Sequence, residues 1–215
     1  MRLKRDRKEV PFIETRKIEC RSGKSKMEIL PFSFVRGLLF IVGTLLLLFI
    51  SRKAVRNPRC HGFYRFFAFL GILFLVLYNY PFWFIDVFAP WQIVSWLLLS
   101  VSVLFVLQGI WILRKAGGSQ ARAEMPENFT FENTVTLVTG GIYGYIRHPM
   151  YSSLLLLAWG AFFKHFTIFG LGLVLLTSLF LYITGLMEEK ENLAFFGPTY
   201  REYMKSTKMF LPFIL

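Results

Sequence analysis

Two short stretches of this chain carry side chains able to do chemistry. The first is GGIYGYIRHPMYSS, residues 140–153, which places an arginine, a histidine and three tyrosines where an apolar segment begins. The second runs from 187 to 214 and opens on the adjacent acids Glu188 and Glu189, followed by Tyr200 and Tyr203. Ionisable groups at the edge of a membrane segment are costly and tend to be functional. Two carboxylates beside Arg147 and His148 would suit a polar or cationic ligand met at the membrane surface. Gly140 and Gly141 permit positive φ and close backbone approach. Pro149 suits the first turn of a helix and holds His148 extended ahead of it. The backbone of such a loop keeps N–H and C=O groups for a ligand, and non-helical backbone at this depth is tolerated only where it is buried or lines a cavity. The plainer alternative is that Arg147 and His148 anchor to lipid phosphates while the tyrosines form an aromatic belt. Taken alone, the first stretch does not decide between them.

The decision turns on whether the two stretches meet, and that depends on the elements between them. A bilayer core of about 30 Å is crossed by about 20 apolar helical residues. Residues 66–85, 89–113 and 166–187 supply such runs, and 37–50 and 149–163 supply shorter ones. The expected fold is therefore all-α, a polytopic membrane bundle of about five spans with C-terminal cytosolic helices closing a pocket. Lys164 and His165 mark a tight turn between antiparallel helices 149–163 and 166–187, so both chemical stretches end on one membrane face. The last span is expected to run on to about Phe196, where Gly197 and Pro198 break it before a short helix that presents Tyr200, Tyr203 and Met204 on one face. Three segments follow: a basic tail over 1–31, three membrane helices over 32–113, and a core over 114–215.

Composition sets the same class. The chain has 215 residues, 55% of them hydrophobic, and a mean hydropathy of +0.51. This profile indicates an integral membrane protein. Its formal net charge of +12 fits cytoplasmic loops and anionic headgroups. Nucleic acid is excluded as a partner, because no basic stretch with interleaved aromatics lies free of a span. Cys20 and Cys60 have neither metal-like nor redox-like spacing and read as free thiols. The basic loop 51–65, the stretch 114–148 and the C-terminal segment are expected on the cytoplasmic side. Asn128 heads a glycosylation sequon in that region. Trp83, Trp91 and Trp111 read as interfacial anchors. No secretory leader is expected, since 1–31 is a long charged run. The membrane is a prokaryotic plasma membrane or endoplasmic reticulum, and the oligomeric state is open.

The string LVTGGIYGYIRHPMY, followed one helical hairpin later by EE, FGPTYREY and LPFI, resembles the isoprenylcysteine carboxyl methyltransferase family. That family sits within a wider group of membrane methyltransferases that includes phospholipid N-methyltransferases. The resemblance covers about residues 135–214. It implies an S-adenosylmethionine-dependent methyltransferase acting on a lipidic or prenylated small acceptor, with no metal. By the resemblance, Leu137 and Val138 contact the adenine side, while Gly141, Tyr143, His148, Pro149 and Tyr151 cradle the methionine and sulfonium portion. Of the paired acids, one hydrogen-bonds the ribose and one orients Arg147 or a substrate group; Glu189 is placed with the cofactor and Glu188 with Arg147 in catalysis. Tyr200 and Tyr203 cap the pocket.

The chain departs from the family pattern at three points. Thr184 stands where a basic residue is common, Val135 where histidine is common, and Ser153 where glycine is common. A carboxylate acceptor is ionised at neutral pH and needs no base, and Arg147 could hold it bidentately. An amine acceptor has to lose a proton, for which His148 or Glu188 is a candidate base. Carboxyl O-methylation therefore leads, with phospholipid or amine N-methylation as the alternative. An NADPH-dependent sterol-reductase-like enzyme is the more distant one.

Overall fold

The computed structural model of the chain describes residues 22–116 and 134–211. Most of the expected basic tail and the sequon at Asn128 lie outside the described residues. The chain divides into two units, Met1–Leu38 and Leu39–Leu215. What is described of the first is the opening of helix α1, Ser22–Ile50. In the second, α1 gives way to the single turn α2, Arg52–Val55, then α3, His61–Asn79, and a 3-10 turn at Tyr80–Phe82. Helix α4 covers Pro90–Ala116, a second 3-10 turn covers Gly141–Gly144, and α5 covers Pro149–Phe162. Helix α6 runs Ile168–Phe196 and α7 runs Pro198–Ser206. Among the described residues the only β-pairing is one parallel bridge between Ile146 and Lys208.

Among the described residues four helices are long and apolar enough to cross a membrane: Ser33–Ile50, His61–Phe82, Pro90–Lys115 and Ile168–Phe196. Their outward faces carry exposed Leu, Ile, Val and Phe, as lipid-facing surfaces do. The fold is the expected helical membrane bundle, with one difference in the expected spans. Helix α5 has 14 residues, about 21 Å at 1.5 Å per residue, short of the hydrocarbon core. Pro149 at its start and the turn through Lys164 at its end bound it, so it covers only part of the depth that α4 and α6 cross.

The consequence appears along α4. Ser95 Oγ donates to the carbonyl of Gly160 at 2.6 Å, and Ser102 Oγ to that of Ser153 at 2.7 Å. Gly109 lies against Met150 and Pro149, where α5 begins. Beyond that point α4 still has two turns to run, and the loop before α5 takes the place of a helix beside them, with Gly141 against Ile112. A site is thereby recessed beside the last two turns of α4.

Helices α3, α5 and α6 share a core of Ile72, Leu75, Ala158, Ala161, Phe162 and Val174. A second cluster, Ala68, Tyr151, Leu181, Met209 and Phe210, underlies the recessed loop. Gly71 lets α3 approach Thr177 of α6 so closely that a Cβ would strike its hydroxyl. At the opposite end, Lys164 fastens the α5–α6 turn: its Nζ donates to Gln92 Oε1 at 3.0 Å and lies 3.5 Å from the Trp96 ring centroid.

Candidate functional site

The loop ahead of α5 is shaped by its sequence. Gly141 has φ +61, a left-handed conformation that L side chains rarely adopt, and a Cβ there would come within 2.6 Å of Ile112. The 3-10 turn that follows buries Tyr143. His148 is the residue ahead of α5, with Pro149 in the first helical turn as the sequence predicts, but at φ −122 and ψ 61 it is not the extended residue expected there.

The C-terminal segment locks this loop in place. The N–H of Lys208 donates to the Tyr145 carbonyl at 3.0 Å. Those of Arg147 and His148 donate to the carbonyls of Lys208 and Met209 at 2.8 and 3.1 Å. Ser152 Oγ donates to the Phe210 carbonyl at 2.7 Å, and Tyr203 Oη to the Tyr143 carbonyl at 2.6 Å.

Arg147 ties three elements together. Its Nε donates to Glu189 Oε1 at 2.6 Å, and Nη1 donates to the carbonyls of Met204, at 3.2 Å, and Thr207. The guanidinium thus caps the C-terminal end of α7, where carbonyls lack helical partners, while α6 supplies its counter-charge. The pair is buried, with side-chain exposures of 10% and 7%. Nη2 of Arg147 has no hydrogen-bond partner among the described residues.

His148 stands between the paired acids. Its Nδ1 is 3.8 Å from Glu188 Oε2 and its Nε2 is 3.5 Å from Glu189 Oε1. Nε2 is buried and makes no hydrogen bond. A buried polar atom without a partner is costly and marks a place where a ligand or water belongs.

These groups surround a cleft of about 620 Å³, counted to its open mouth. Its apolar wall is formed by Leu113, Leu137, Val138, Met150 and Phe196. Its polar wall is formed by Arg147, His148, Glu188, Asn192 and the phenols of Tyr143, Tyr151, Tyr200 and Tyr203, with Thr134 and Pro149 at its edges. Burial and, after it, the Glu188 charge push the Tyr200 phenol well above its ordinary pKa. Burial does the same for Tyr203. Both stay protonated donors at neutral pH.

Two residues singled out from the sequence stand outside the lining. Gly141 shapes the loop from behind, and Glu189 sits behind Arg147 and His148. Conversely, Asn192 and Phe196 line the cleft from within the second stretch, although neither has an expected role in the site. They follow Glu188 at i+4 and i+8 on one face of α6, and that helical spacing is the signal that identifies them. Leu113 comes from the last turn of α4, which carries no motif at all. At Thr184 the structure leaves no space for a larger group: the residue is fully buried and its hydroxyl donates to the Phe180 carbonyl at 2.7 Å.

A profile of the phospholipid methyltransferase family matches residues 90–197. The chain belongs to the phospholipid methyltransferase family. The match takes in α4, the recessed loop, α5 and α6, and so reaches one span further towards the N-terminus than the motif resemblance. Helix α7 and the strap after it lie beyond it. A curated relative, the methanethiol S-methyltransferase of Pseudomonas deceptionensis, is 34% identical over 71 residues, which is 33% of this chain and 26% of that protein. The chain therefore matches about a quarter of that relative's length. No solved structure matches the chain.

Proposed function

We propose that this member of the family is an S-adenosylmethionine-dependent membrane methyltransferase, with its cleft open to the cytoplasm and an acceptor that arrives from the lipid phase. The observation that supports this reading is the convergence of the recessed loop, the acid turn of α6 and the phenols of α7 on one cleft, largely within the segment that the family shares. The residues suit the cofactor. Leu137 and Val138 offer an apolar wall for the adenine. Glu188 and Asn192, one helical turn apart, offer hydrogen bonds to a ribose. The loop from Gly141 through Tyr143, His148, Pro149 and Tyr151 cradles the methionine end, and the carboxylates of Glu188 and Glu189 favour a cation beside them. When bound, S-adenosylmethionine supplies an activated methyl group on a sulfonium.

The protein's part is alignment and exclusion of water, for which orientation alone supplies several kcal/mol. Glu189 fixes Arg147, Arg147 fixes the end of α7, and α7 holds Tyr200 and Tyr203 over the cleft. Carboxyl O-methylation of a prenylcysteine-like acceptor is the finer reading, supported by the C-terminal motifs and by the Nη2 donors of Arg147. A second reading, methylation of an amine or thiol, is favoured by His148, whose imidazole lines the cleft between the paired acids and can accept the proton that such an acceptor must lose.

Purified protein given S-adenosylmethionine with a labelled methyl group would be offered a prenylcysteine, a phospholipid amine and an alkyl thiol in turn. Base-labile label released as methanol supports carboxyl methylation. Base-stable label in the amine or thiol supports the second reading against the first. Absence of label in all three, with the cofactor bound, would count against both.

A further inference from the structure

At the cleft end of the bundle, beside the acid turn but outside the cleft lining, Cys60, His61 and Glu191 bring three different metal-ligating groups together. One ligand atom from each lies within 4.8 Å of the others. Cys60 precedes α3 with extended backbone, φ −90 and ψ 142, and His61 opens the helix. Glu191 comes from α6, 130 positions away, so the cluster joins two helices that pack along their lengths. Its carboxylate accepts from the backbone N–H of His61 at 2.9 Å and lies 2.6 Å from His61 Nδ1. Cys60 Sγ accepts from Gly62 N–H at 3.3 Å, an acceptor role that a metal-bound thiolate also fills. Cys60 and His61 are 6% and 1% exposed.

We propose that Cys60, His61 and Glu191 bind a zinc ion that ties the start of α3 to the acid turn of α6. Thiolate, imidazole and carboxylate together form a donor set that suits Zn²⁺ and is poorly suited to Mg²⁺ or Ca²⁺, which take oxygen ligands. Three protein ligands leave one tetrahedral position, filled by water. To reach metal–ligand distances of about 2.0–2.3 Å the 2.6 Å contact of His61 Nδ1 with Glu191 opens to admit the ion and the Cys60 thiolate moves in, changes that rotamer adjustment supplies. The ion would sit about one helical turn from Glu188, and would fix the level of the acid turn relative to α3. It takes no part in methyl transfer, so the inference stands apart from the proposed function.

The simpler reading of the cluster is a His61–Glu191 hydrogen bond that staples two helices without a metal. Cobalt substitution separates the two. Full-length protein, stripped with a chelator in detergent, is titrated with Co²⁺ and then with Zn²⁺. The proposal expects about one Co²⁺ per chain, a thiolate-to-cobalt charge-transfer band, intense tetrahedral visible bands and displacement by Zn²⁺. Cys60→Ser should remove the charge-transfer band, and Glu191→Gln should weaken binding at least about tenfold. Because either variant could fail to fold, the wild-type spectrum alone is decisive. Absence of a thiolate band at saturating Co²⁺ would overturn the site in favour of the staple.

Discussion

Arg147 shows how a residue visible in the sequence takes its role from partners that are not. The motif places it beside His148, but Met204 and Thr207, whose carbonyls take up Nη1, are 57 and 60 positions away and carry no signal in the sequence. A lysine at 147 would keep the charge and lose the fork that reaches both Glu189 and α7. Arg147→Lys is therefore expected to lower unfolding stability by about 3 kcal/mol, as for a broken buried pair, and to weaken S-adenosylhomocysteine binding as well. Glu188→Gln should behave differently, because that side chain is 25% exposed and has no such structural partner. Its stability should stay within about 0.5 kcal/mol of the parent while ligand affinity falls at least tenfold. Denaturant unfolding and calorimetry on both variants check the contrast. Equal losses in both quantities for both variants would contradict it.

At the scale of elements, the sequence is legible where apolar runs and breakers are strong. The extension of α6 to Phe196 and the break at Gly197 follow from a Gly-Pro step, and Gly197 adopts φ +60. The pairing of 145–148 with 208–209 is not legible, because a bridge one residue long leaves no strand pattern. The length of α5 was bounded by Pro149 and Lys164, yet its shortness carries a structural meaning only beside α4. Lys164 makes a pH signature at this scale, since burial lowers its pKa from 10.5 to about 8. Between those two values the unfolded chain holds a proton that the folded chain does not, so stability should rise with pH from about 8. Near pH 10 the raised phenols of Tyr200 and Tyr203 begin to act in the opposite sense, because the unfolded phenols ionise first. Thermal unfolding between pH 8 and pH 9.5 should show the rise in the parent and lose it in Lys164→Met. Close packing gives a second expectation: Gly71→Val would force α3 from Thr177 and cost about 1–3 kcal/mol by overpacking, seen as a lower unfolding midpoint.

For the whole molecule, the family match and the four apolar helices establish a membrane protein of the phospholipid methyltransferase family. The class was legible because a long apolar run has few other uses. The acceptor was not, because it depends on which groups a folded cleft leaves over, here the Nη2 donors of Arg147 and the imidazole of His148. The basic loops predict that the cleft faces the cytoplasm. Expression in microsomes should then leave Asn128 without glycan, and a glycosylated product would reverse the orientation. The central claim is that the cleft holds S-adenosylmethionine, and calorimetric titration of the purified protein with S-adenosylhomocysteine tests it most directly. The expected result is saturable heat with about one ligand per chain, with affinity reduced at least about tenfold in His148→Ala. Absence of binding heat for both cofactor forms, in protein that unfolds cooperatively, would contradict it.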